Sequence, residues 1–170
     1  MQFMARTIRA AKLQSRLYKE VKTDKYAMSQ ALVVVLLSSL AATIGAFTHV
    51  GLGGLIMGGL VALLAWYVWT FMTYIIGVKL FPVSQTSASH WELWRTLGFA
   101  SVPGVLRVFG AIPGLTGTAF LVAAVWMLIA AVIAARQALD YTSTVRAAGV
   151  CVPGWLVHVF LLFLLLLLLG

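Results

Sequence analysis

Long uncharged apolar runs alternate with short polar stretches along this chain, and the runs are of membrane length. Ala27 to Phe47 carries no charge and exceeds a signal-peptide core, so it predicts a first span. Gly51 to Val78 predicts a second; fully helical it would reach about 42 Å, more than a hydrocarbon core of about 30 Å. Either its glycine-rich start is partly loop or the helix tilts. Trp94 to Ile112, Gly117 to Ala135 and Ala147 to Leu169 predict three more. The expected fold is an all-α integral membrane protein of five transmembrane helices, the third and fifth interrupted by Pro-Gly pairs. Residues 1–26 form a cytoplasmic basic segment and 27–170 the membrane domain.

The basic segment is itself patterned. On a helical wheel Phe3, Met4, Ile8, Ala11, Leu17, Tyr18 and Val21 fall on one side, and Arg9, Lys12, Arg16, Lys19 and Glu20 on the other. That predicts an interfacial amphipathic helix whose cations meet anionic lipid. Leu13 and Ser15 break the pattern. The alternative is a basic tail packed on the rest of the protein.

Trp91 to Gly117 decides the topology. It holds Pro103-Gly104, Pro113-Gly114 and a charge, Arg107, where a plain span would carry Leu. If it crosses, Arg136 and Arg146 flank a cytoplasmic turn, which puts eleven Lys and Arg inside, none outside and Arg107 in the membrane; if it re-enters, those two arginines move outside. Positive-inside bias favours crossing, with the N-terminus cytoplasmic and the C-terminus opposite. Pro103 cannot donate to the carbonyl of Phe99, which leaves an acceptor at membrane depth, with Ser101 nearby. Glu92 and Arg95 are spaced to pair across one helical turn. Arg107 either snorkels outward or marks a functional site.

Composition narrows the function. With 62% hydrophobic and 9% charged residues the chain is not an ordinary soluble domain. The net charge of +8 is concentrated ahead of the first apolar run, which points to a cell inner membrane and not to nucleic acid. Cys151 is the single cysteine, and His49, His90 and His158 lack metal-ligand spacing. No nucleophilic triad, paired intramembrane carboxylates or phosphate loop is present, so no enzyme and no resident cofactor are expected. Trp66 to Tyr74 is an aromatic run too deep for an interfacial belt alone. It reads as core packing or, more sharply, as contact with a quinone or pigment. His158, about 18 Å into the last span, is the residue that would hold a pigment. Arg136, Asp140 and Arg146 crowd the polar turn before that span. Arg95 with Pro103-Gly104 is echoed by Arg146 with Pro153-Gly154, a trace of duplication of the kind some transport folds use, or chance.

The stretches LWRTLGFASVPGVLRVFGAIPGL and DYTSTVRAAGVCVPGW, with the basic start and five apolar segments, resemble bacterial members of the YIP (Ypt/Rab-interacting protein) domain family. Arg95 to Gly104 is the most specific part. The resemblance implies a five-helix membrane domain; its eukaryotic members are associated with trafficking and small GTPases. The expected function is non-catalytic: membrane organisation, or docking on other membrane proteins. Two alternatives stay open: an auxiliary subunit of a respiratory or photosynthetic complex contacting a pigment or quinone, and a small transporter using Arg107.

Overall fold

The computed structural model describes residues 2–81 and 88–169, without the side chains at 47–55, 62, 158–159 and 161–169. Within them the chain is helical: α1 Gln2–Ala11, α2 Ser15–Thr23, α3 Ala27–Tyr74, a π-helical segment Ile75–Leu80, α4 His90–Ala100, a 3-10 helix Val102–Ala111, α5 Thr116–Ala138 and α6 Thr144–Leu169. Three stretches are long and apolar enough to cross a membrane: Ala27–Ala46, Ile56–Leu80 and Thr116–Ala138. The polar stretch Val83 to His90, between the second and third apolar runs, falls mostly outside the described residues, and α4 begins at its last residue.

A straight helix of 48 residues would extend about 72 Å and place Thr43 and Gly58 about 22 Å apart. Instead a Cβ at Gly58 would lie 3.4 Å from the Thr43 methyl. The two arms of α3, 27–46 and 56–74, therefore fold back on each other. Gly58 gives the close approach expected of a small residue at a membrane-helix crossing.

α4 starts with a capping box. Ser89 accepts from the Glu92 backbone N–H, and the Glu92 carboxylate accepts from the Ser89 N–H. The α-helix ends at Ala100, and the chain continues beyond Ser101 as a 3-10 helix with Pro103 near its start, where a missing N–H costs least. The Ser101 hydroxyl, one candidate partner for the Phe99 carbonyl, donates instead to Leu97 O at 3.3 Å.

This composite segment lies parallel to the first arm of α3 along a seam of small residues. A Cβ at Gly98 would stand 2.7 Å from the Ala31 Cβ; one at Gly104 would overlap the Ser38 hydroxyl; one at Gly45 would overlap the Arg107 carbonyl. Ala31, Ser38 and Gly45 recur every seven residues, two α-turns or about 10.5 Å. Gly98, Gly104 and Gly110 recur every six, and from Gly104 to Gly110 two 3-10 turns rise about 12 Å, so the repeats nearly keep step.

α5 returns beside this pair and buries an alanine face: Ala123, Ala130, Ala131, Ala134, Ala135 and Ala138. α6 packs on the second arm of α3. It corrects one expectation: α6 runs unbroken through Pro153. Pro153 is exposed, and the glycine after it serves packing, because a Cβ at Gly154 would stand 2.9 Å from the Trp69 ring. The Trp69 indole donates to Cys151 O at 3.4 Å. The echo between the two Pro-Gly sites is thus one of letters: the first lies in a 3-10 helix, the second in an α-helix.

The single amphipathic helix expected over the N-terminal segment is instead two helices bent at Leu13, whose φ is 56°. The break falls where Leu13 and Ser15 depart from the amphipathic pattern, and it lets each half follow its own phase. Leu17, Tyr18 and Val21 are fully buried, with α2 packed on α4 and α5, while Met4 and Ile8 of α1 are exposed.

Candidate functional site

The charged residues gather at one end of the bundle, where the α1–α2 hairpin is clamped to the rest. Arg6 is buried and donates to Glu20 at 3.0 Å, Asp24 at 2.7 Å and Gln30 Oε1 at 3.0 Å. It ties both short helices to the start of α3. Arg9 adds a second bond to Glu20 at 2.7 Å. The bond from Arg9 foremost, then that from Arg6, holds the Glu20 carboxyl below the usual carboxylate range. Asp24 is lowered chiefly by the bond from Arg6. Burial works against the Arg6 charge, but the bonds and charges of Asp24 and Glu20 outweigh it and raise the guanidinium above its ordinary value.

Arg95 secures the other side. Its Nε donates to Val21 O at 3.1 Å and an Nη to Lys22 O, the free carbonyls at the end of α2. A buried cation there satisfies acceptors that the helix leaves open and complements the dipole. Lys22 in turn pairs with Asp140 in the turn after α5. The Tyr141 hydroxyl lies 2.8 Å from Gly77 O and 2.9 Å from Phe81 O, which joins that turn to the π-helical segment. Arg136 bonds Tyr141 O, Thr142 O and the Thr144 hydroxyl.

Above this layer sits an aromatic cluster between the second arm of α3 and α4. Trp94 is its hub, with ring centroids 5.7 Å from Trp66, 4.9 Å from Tyr67, 4.9 Å from His90 and 5.6 Å from Trp91. Tyr74 stacks on His90 at 5.3 Å. The ring nitrogens Trp66 Nε1, Trp94 Nε1 and His90 Nε2 are buried without a hydrogen-bond partner. Trp66 is 7% exposed, so the aromatic run does serve packing.

Several predicted residues land elsewhere than expected. Arg95 does not pair with Glu92, because the capping box holds Glu92 while Arg95 faces α2. Asp140 is paired with Lys22, a contact between segments over a hundred residues apart. Arg146 is exposed, with its guanidinium 6.0 Å from the centroid of the Tyr141 ring. Of the expected lipid-facing cations, Lys12, Arg16 and Lys19 are exposed, whereas Arg9 is committed to Glu20. Pro103 and Gly104 are buried in the seam. Arg107 lies toward the opposite end with its guanidinium over Phe120. The side chain of His158, the pigment candidate, lies outside the described residues.

The role of Arg6 went unread: its position interrupts no pattern, and its three partners come from elements the sequence does not pair. The capping box had a signal, the Ser89-x-x-Glu92 spacing. Among the described residues no group of His, Cys, Asp and Glu is arranged to hold a metal. No protein-family model, curated protein or solved structure matches the chain.

Proposed function

We propose that this chain is a five-crossing, non-catalytic membrane protein that organises its surroundings by presenting a fixed basic platform to anionic lipid and to neighbouring membrane proteins. The observation that carries this reading is the division of labour among the hairpin's cations. Arg6, Arg9 and Lys22 are consumed by internal pairs, while Lys12, Arg16, Lys19 and Lys25 are exposed and make no ion pair among the described residues. The paired set makes the free set rigid. Each free cation near an anionic surface contributes about 1 kcal/mol.

The architecture supports the crossing count. The eleven residues of α4 and ten of the 3-10 helix together rise about 36 Å, enough for a third crossing. α6, at 26 residues, rises about 39 Å and supplies a fifth. The Trp126 indole donates to Ala11 O, which sets the hairpin bend about 18 Å along α5 from Ala138. Lys19 and Lys25, toward the polar end, therefore lie nearest the headgroups, with Lys12 and Arg16 deeper along the bundle. The resemblance of Arg95 to Gly104 to the YIP-domain family agrees with such a role and rests on the sequence alone.

The test is lipid retention. Replacing Lys12, Arg16, Lys19 and Lys25 together by Gln is expected to reduce co-purifying phosphatidylglycerol and its salt sensitivity while leaving the thermal midpoint in detergent unchanged. Undiminished retention sinks the reading. A second reading, contact with a quinone or pigment inside a larger complex, is favoured by the three unpartnered ring nitrogens of the aromatic cluster. A visible absorbance band or an extractable quinone in protein isolated from native membrane would favour it over the first.

A further inference from the structure

Arg107 is a cation that the fold leaves without an anion at the end of the bundle away from the acidic residues. The chain contains four acidic residues, and the structure places all of them at the polar end: Glu20 with Arg6 and Arg9, Asp24 with Arg6, Asp140 with Lys22, and Glu92 in the cap of α4. Arg107 lies about 28 Å along α4 and the 3-10 helix from Ser89, far beyond the reach of any of them. Its Nε is buried with no hydrogen-bond acceptor. Among the described residues its guanidinium lies over the face of Phe120, with Cζ 5.7 Å from the ring centroid, a weaker substitute for an anion. The side chain cannot withdraw by moving its backbone, because the Arg107 carbonyl is pressed against Gly45 in the small-residue seam.

The surroundings favour a negative ligand. α5 begins at Thr116, one turn before Phe120, with Leu115 at its cap position offering no side-chain hydrogen bond and no acidic residue in its first turn. Its free N–H groups and dipole add positive potential beside the guanidinium. Val105, Phe109, Ile112 and Leu115 around this end are exposed and apolar, a setting for acyl chains rather than for water alone.

We infer that Arg107, together with the open N-terminus of α5, forms a binding site for a phosphate-type oxyanion at the end of the bundle opposite the Lys22–Asp140 pair. The guanidinium geometry suits a phosphate held through two parallel N–H bonds. Two sources share this chemistry, a phospholipid headgroup and free phosphate.

The experiment uses the full chain in mild detergent, carrying the Lys12, Arg16, Lys19 and Lys25 to Gln replacements so that binding at the hairpin is already removed. Wild-type Arg107 and Arg107→Gln are compared by native mass spectrometry with added phosphatidylglycerol, and by thermal melting with added sodium phosphate. The expected result is one retained phosphatidylglycerol per chain, weakened about tenfold by Arg107→Gln, with equal melting of both proteins when no anion is added. Stabilisation by sodium phosphate that requires Arg107, without phosphatidylglycerol retention, assigns the site to the free anion. Equal lipid retention by both proteins with no phosphate effect overturns the inference. Should Arg107→Gln not fold, Arg107→Met, which keeps the aliphatic stem, carries the same comparison. Failure here leaves the hairpin reading intact, since the hairpin cations are absent from every arm.

Discussion

The two arms of α3 hold the same neighbour, the α4 and 3-10 segment, by opposite means. The first arm uses Ala31, Ser38 and Gly45 against Gly98, Gly104 and Arg107, so backbone meets backbone at Gly45 and only the small Ala31 and Ser38 side chains intervene at Gly98 and Gly104. The second uses Trp66, Tyr67, Phe71 and Tyr74 against His90 and Trp94, so large rings fill the space. The difference is one of tolerance. A ring can tilt or be shortened and still cover its neighbour, whereas at a backbone contact an added carbon has nowhere to go. In lipid, where tails are as apolar as leucine, close small-residue packing also carries much of the association.

Substitutions of graded severity test that contrast. Gly45→Val should have the largest effect, because the obstacle is the Arg107 carbonyl, which cannot rotate away. We expect loss of monodisperse folded protein by size-exclusion chromatography, with a cost beyond the usual ~1–3 kcal/mol of overpacking. Gly104→Ala meets the Ser38 side chain instead, and Ser38→Gly in the same chain should restore part of its lost thermal stability. No such rescue is expected at Gly45, and finding one would show the seam to be softer than described.

The polar end comes next in size. Arg95→Leu removes two charge-assisted bonds to the end of α2 and should cost about 2–3 kcal/mol. Its signature is faster protease cleavage in α1 and α2 than in the helices behind them. On the aromatic side, Trp94→Phe keeps most of the ring contact and should lower stability by only about 1 kcal/mol. A larger loss would mean that the indole N–H has a partner after all.

Acid should produce the smallest effect. Glu20 and Asp24 have folded values below their unfolded ones, so their contribution is complete above the unfolded carboxylate range near pH 4 and is lost as pH falls through the folded values. Amide exchange of α1 should therefore rise below about pH 4 while the seam stays protected. Exchange rising equally in both regions would contradict a locally clamped hairpin.

Much of this was legible in the residues. The apolar runs announce the spanning helices because a bilayer demands length and the absence of charge, and both are local properties. The departure of Leu13 and Ser15 from the amphipathic pattern was visible, though its meaning as a bend was not. Small residues at seven-residue spacing in Ala31, Ser38 and Gly45 were visible too, yet many alanines and glycines share such spacing in this chain.

Partner choice was not legible. Glu92 and Arg95 stand one helical turn apart and were expected to pair, but Ser89 claims one and the end of α2 the other. Asp140 meets Lys22, and Arg6 meets three residues of two other elements. The sequence by itself determined where helices run and where charge collects, since hydropathy and helix propensity act over neighbouring residues. Only the tertiary structure decided which charges cancel, that Pro153 leaves α6 unbroken, and that Arg107 is left over. Those outcomes depend on which faces meet across the bundle, and spacing along one chain does not encode that.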